Sequence, residues 1–122
     1  MTSLQWLNSS VYDVKHANGD PSIWEHEVII IEPKNNKHRN TVMLYATGGC
    51  NGEHALHPNE PVKDSEVIAL DIGAFEAQMT TVVMRQLPNC RMKFKDDPKQ
   101  MERVEDELLS YSMNMYLSLI HI

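Results

Sequence analysis

The chain has 122 residues, 42% of them hydrophobic and 23% charged, and a formal net charge of −6. That composition suits one small globular domain, and the length is short for the α/β class that its elements indicate. The acidic balance excludes a cationic footprint for nucleic acid or anionic lipid, and no apolar run approaches the roughly 20 residues that span a bilayer.

Met1 to Leu7 has neither a basic segment nor a long apolar one, so it is not a signal peptide as it stands. Asn8-Ser9-Ser10 is an acceptor pattern for N-glycosylation that matters only in a secreted chain. Asn18-Gly19-Asp20-Pro21 predicts a turn. Trp24 to Glu32 follows with the β-branched run Val28-Ile29-Ile30-Ile31, and Pro33 closes it, which predicts a strand buried on both faces. Lys34 to Asn40 is a polar connector whose basic residues Lys34, Lys37, His38 and Arg39 suit a solvated turn. Thr41 to Thr47 predicts a second strand, ended by Gly48-Gly49, and the short link predicts an antiparallel pair.

A loop containing Pro58 and Pro61 leads to Asp64 or Ser65, either of which can cap a helix running to about Met79. Gly73 weakens that helix by roughly 1 kcal/mol. Thr80 to Leu87 predicts a third strand, closed by Pro88-Asn89. A final helix is predicted to start with Asp97 as N-cap, Pro98 in the first turn and Gln100 in a capping-box-like position. Met101, Val104, Leu108, Tyr111 and Met115 share one face and read as core packing; Glu102, Arg103, Glu105 and Asp106 lie on the other and read as solvated. Antiparallel first strands followed by strand, helix, parallel strand, helix define an α/β fold. The loops at Gly48–Asn51 and Pro88–Cys90 then share the carboxyl edge of the sheet, where open α/β sheets place ligands.

Gly48-Gly49-Cys50-Asn51-Gly52 is the most suggestive cluster. Its glycines either serve a tight turn alone or leave backbone amides bare for an anion or a developing oxyanion. The same residues fit G-x-C-x-G, but a nucleophile elbow leads directly into a helix, whereas here a proline-bearing loop follows. Cys50 and Cys90 are too few for a disulfide scaffold, and no CxxC is present. On neighbouring strands a bridge between them is geometrically conceivable, but sequence does not fix the Cα separation it needs, and two independent thiols are the favoured reading. His54 and His57 have no third ligand at a metal-site spacing. His26 is either a satisfied structural histidine or a site residue, the former favoured. With no G-x-S-x-G, Walker A, G-x-G-x-x-G or H-E-x-x-H, neither a metal nor a cofactor is expected, and no catalytic nucleophile is identified.

Several blocks stand in an order that resembles the PhoPQ-activated pathogenicity-related family, which includes proteins named autocrine proliferation repressor. They are Leu4-Gln5-Trp6-Leu7, Trp24-x-His26 with the strand to Pro33, Gly48-Gly49-x-Asn51, Arg85-Gln86-Leu87-Pro88-Asn89 with Phe94, and Arg103-x-Glu105-Asp106-x-Leu108-Leu109-x-Tyr111. The resemblance implies an α/β-hydrolase-like fold in a secreted protein, with a cytoplasmic location as the alternative. It also implies longer members that continue into a Gly-x-Ser-Lys-Arg-Gly turn. Residues 1–117 are therefore expected to be the N-terminal part of a hydrolase-like domain, and 118–122 a tail outside the family pattern, resembling adaptor read-through. Met113 stands where the family commonly has Trp. Gly48, Gly49, Cys50 and Asn51 are the expected oxyanion-side loop, facing a small-molecule or peptide ligand. The chain alone is expected to be inactive, its nucleophile and base lying beyond residue 122. The alternative is a non-catalytic secreted signalling or interaction protein on the same fold, and a weaker one is a free-standing cytosolic domain.

Overall fold

The computed structural model describes residues 1–14, 19–51 and 60–120. In chain order they form β1 (Thr2–Gln5), β2 (Ile23–Glu25), β3 (Val28–Ile31), β4 (Val42–Ala46), α1 (Ser65–Ala77), β5 (Thr80–Met84) and α2 (Glu105–Ile120). The mixed α/β content is as expected, with one parallel strand pair. The chain divides into two compact units, each assembled from separated segments. One comprises Met1–His26, Gly48–Asn51 and Gln86–Ile122; the other comprises Glu27–Thr47 and Gly52–Arg85.

In the second unit β5 is the central strand, in the order β3-β5-β4. It runs parallel to β4, from Val42 opposite Thr80 to Ala46 opposite Met84, and antiparallel to β3, from Val28 opposite Met84 to Ile31 opposite Thr81. Thus β3 and β4 do not form the antiparallel pair that their short connector predicts, because β5 lies between them. The connector is anchored on the residues around the start of β5 instead. Asn36 donates its side-chain amide to Thr80 Oγ1 at 2.8 Å, and Lys37 N–H donates to the Gln78 carbonyl at 2.9 Å. Seven residues easily stride the roughly 10 Å that one interposed strand requires.

The predicted strand from Trp24 to Glu32 is divided, with β2 in one unit and β3 in the other. Nor is β3 buried on both faces: Ile30 is 68% exposed. It is an edge strand with a neighbour on one side only, so its β-branched run reflects strand propensity rather than enclosure.

Helix α1 begins as its cap predicts. Asp64, extended at φ −71° and ψ 115°, accepts from Glu66 N–H at 2.9 Å and Val67 N–H at 3.2 Å. Gln78 ends the helix in the left-handed region at φ 50°. Val67 and Ala74 are buried from α1, and Thr81 and Val83 from β5, on which α1 packs. Arg85, just past β5, reaches Glu27 Oε2 at 3.0 Å and the capping Asp64 at 3.1 Å, tying the end of the central strand to the helix start.

In the first unit β1 and β2 pair antiparallel, with Asp20 shaping the turn ahead of β2 through its side chain, which accepts from both Ser22 N–H and Ser22 Oγ. The core gathers Tyr12, Trp24, Met92, Phe94 and Leu108, with Val104, Tyr111 and Met115 packed against it, so the apolar stripe of the last helix is core as expected. Phe94 stacks between Tyr12 and Tyr111, with ring centroids 5.1 and 4.9 Å away. Burial pushes the Tyr12 hydroxyl up to about 12, the Trp24 side chain opposing and Asp20 adding to the shift.

Helix α2 starts at Glu105, eight residues after the predicted cap. Asp97 is 1% exposed, and its Oδ1 accepts from Lys99 N–H at 3.0 Å, so it caps a turn rather than a helix. Gln100, left-handed at φ 47°, ends that turn. Both carboxylate oxygens of Asp97 are engaged by Arg103, from Nε at 2.8 Å and Nη2 at 2.9 Å, and the guanidinium lies 4.2 Å over the Tyr111 ring. Arg103 is therefore a packed residue and not a solvated one. Among the described residues no helix is long and apolar enough to cross a membrane.

The Arg103 hydrogen bonds hold the Asp97 carboxyl below its ordinary range. A carboxyl whose folded pKa is depressed contributes stability above its unfolded value, near 3.9, and loses it as pH falls through the folded value. Asp97→Asn is expected to lower the melting temperature at pH 7 by roughly 10 °C, because it takes the charged partner from a half-buried guanidinium. The gap between wild type and variant should begin to narrow below about pH 4 and close only below the lowered folded value; melting curves across pH read both effects.

Candidate functional site

The strongest concentration of polar order lies in the first unit, where Gly48–Asn51 runs beside Gln86–Cys90. Gln86 N–H donates to the Gly48 carbonyl at 3.0 Å, and Asn51 N–H donates to the Cys90 carbonyl at 3.0 Å. The Asn51 side chain does double duty, its Oδ1 accepting from Cys90 N–H at 3.2 Å and its Nδ2 donating to the Glu25 carbonyl at 2.9 Å. Asn89 is fully buried beside it. With its amide turned to suit these neighbours, it donates to Asn51 Oδ1 at 2.9 Å and accepts from Glu25 N–H at 3.1 Å.

Cys50 and Cys90 are joined in a disulfide, with Cα atoms 4.7 Å apart. This corrects the expectation of two independent thiols and removes Cys50 as a nucleophile, since its sulfur is bonded to that of Cys90 and cannot ionise to a thiolate. The bridge closes a chain segment of 40 residues, worth about 4 kcal/mol in chain entropy.

Gly49 sits at φ 91°, a conformation only glycine takes without strain. Gly48 contributes in another way. A Cβ there would lie 2.8 Å from Glu105 Oε1. The Glu105 carboxylate occupies that space and accepts a long hydrogen bond from Gly49 N–H at 3.4 Å. Glu105 is exposed, as expected of the polar face, and one of its carboxylate oxygens is turned onto the glycine loop. Among the described residues, no hydrogen-bond acceptor is found for the amides of Gly48 and Cys50.

All four expected site residues therefore lie together in one loop. His26 is buried, with one ring nitrogen on the Gln86 carbonyl and the other on Ser3 Oγ, so both ring nitrogens have partners. His54, His57, Gly52 and Pro58 lie outside the described residues, and among those described no cluster of His, Cys, Asp or Glu could hold a metal ion. Sequence reasoning missed Asn89 and Glu105. For Glu105 the available signal was two adjacent side-chain-free positions, which leave a carboxylate-sized gap. For Asn89 it was a buried-compatible amide directly before a cysteine.

The family model for PhoPQ-activated pathogenicity-related protein matches residues 1–121. The chain belongs to that family. Neither the curated proteins nor the solved structures offer a significant match. Several landmarks of the family resemblance have a structural use in this member. Trp24 joins the core, His26 and Asn51 bind backbone carbonyls, Arg85 clamps the α1 cap, and Arg103 pairs with Asp97.

Replacing both Cys50 and Cys90 by Ser should lower stability by about 4 kcal/mol, read as a shift of the urea midpoint. Intact mass before and after reduction of the unfolded protein should differ by two hydrogens. An unchanged mass would remove the bridge from the account.

Proposed function

We propose that this chain is the N-terminal part of an α/β-hydrolase-like protein of the secretory pathway, with Gly48–Asn51 on the oxyanion side of its catalytic centre. The observation that carries the reading is Glu105. Its negative oxygen rests in the gap left by Gly48 and against Gly49 N–H, so the loop already accommodates the kind of atom an oxyanion would present. Two further facts support it. The loop follows β4, which runs parallel to β5 with α1 as the crossover, the arrangement from which open α/β sites are built. The Cys50–Cys90 bridge suits an oxidising compartment, where such bonds persist.

On this reading the nucleophile and its base come from chain beyond residue 122, as the family resemblance implies. The loop supplies donors; it does not attack. Charge would develop on the substrate oxygen during acyl transfer, and the fixed amides, held by the disulfide and by Asn51, would meet it without reorganising.

The test has two parts. The transcript beyond the Leu117 codon should encode a Ser nucleophile, an Asp and a His in hydrolase order; their loss would favour a non-catalytic signalling role. In that longer protein Gly49→Ala, which strains the left-handed position, should reduce kcat for a 4-nitrophenyl ester by about 100-fold with little change in KM. The 122-residue chain should show no steady turnover. An unaltered kcat in the variant would take the loop out of the active site.

A further inference from the structure

Ser3 is an exposed residue in β1, at the point where the ladder with β2 slips. Thr2 stands opposite Glu25 and Leu4 opposite Trp24, so Ser3 is the extra, bulged residue. Bulges re-aim side chains, and this one brings Ser3 Oγ to 2.7 Å from His26 Nε2. The other ring nitrogen, Nδ1, lies 2.8 Å from the Gln86 carbonyl. A carbonyl can only accept, so in the neutral ring Nδ1 carries the proton and Nε2 offers its lone pair to the Ser3 hydroxyl. Gln86 stands at φ 65°, a left-handed position that a non-glycine residue adopts at a cost and that recurs at functional sites.

The elements are those of an activated serine: an accessible hydroxyl, a histidine with 3% exposure beneath it, and a fixed acceptor that orients the ring and supports positive charge on it. We propose that Ser3, His26 and the Gln86 carbonyl form an acyl-accepting site whose nucleophile is Ser3 rather than any residue of the glycine loop, and that takes its acyl group from an activated carboxylic ester. Ser3 Oγ bonds to the ester carbonyl carbon as its proton passes to His26 Nε2. The carbon–oxygen bond to the leaving alkoxide then breaks, and the imidazolium returns the proton to that oxygen. The products are Ser3 ester and free alcohol, and the step ends there.

A fluorophosphonate probe tests the hydroxyl directly, since Oγ–P bond formation expels fluoride and the proton leaves through His26. Peptide mapping of the native chain should place the label on Ser3, at a rate about 100-fold above that of the other serines. Urea-unfolded chain should lose the preference. Ser3→Ala should abolish the label with the far-UV spectrum unchanged, and His26→Gln should slow it to the background rate. Should His26→Gln fail to fold, the native map still decides, because labelling of Ser3 no faster than of its fellow serines would overturn the proposal.

Discussion

The lateral joining of Gly48–Asn51 to Gln86–Cys90 is the constraint on which the first unit depends. Two segments far apart in sequence are held by two backbone hydrogen bonds, one disulfide and one asparagine that bonds both of its polar atoms to main chain. Those contributions differ in kind. The disulfide acts mainly by shrinking the unfolded ensemble, whereas the asparagine bonds are directional and fix register. A bridge alone would leave the loop free to rotate about it. Asn51 and Asn89 together remove that freedom, because each also reaches Glu25, the last residue of β2.

The second unit solves a parallel problem with charge. Its central strand ends at Met84, and the next side chain, Arg85, meets Glu27 beside β3 and the cap of α1. One guanidinium thus serves strand and helix at once. The carboxylate of Asp64 is already spent on two helix amides through Oδ1, which leaves Oδ2 for Arg85. Capping and ion pairing are therefore not competitors here; the geometry of one carboxylate satisfies both.

Local rules were legible in the sequence wherever a single residue decides the outcome. Asp64 caps its helix, and the Leu108–Tyr111–Met115 stripe faces the core; β5, by contrast, starts at Thr80 as expected but ends at Met84, short of the Leu87 that Pro88 suggested. What could not be read were choices set by distant partners. The order β3-β5-β4 depends on β5, which lies some forty residues beyond the connector that was read as a hairpin link. Asp97 looks like an N-cap by every nearby residue, yet Arg103 claims its carboxylate, and a bidentate, charge-assisted pair outweighs a single cap bond. The thiols were judged by their number, when what governs pairing is the separation of their Cα atoms. The glycine loop was found by composition, but its electrostatic neighbour Glu105 lies 56 residues from Gly49.

Glu105 also explains why the two glycines are not equivalent. Gly49 is required by backbone conformation, and any side chain there strains the loop. Gly48 contributes space, and the atom that a Cβ would meet is the far end of a flexible side chain. An alanine at 48 could be relieved by rotating Glu105 away, at the cost of the hydrogen bond to Gly49. One position therefore sets the direction in which the amides point, and the other sets what they point at. The conformation of Gly49 and the clearance at Gly48 are thus separate demands on two neighbouring residues.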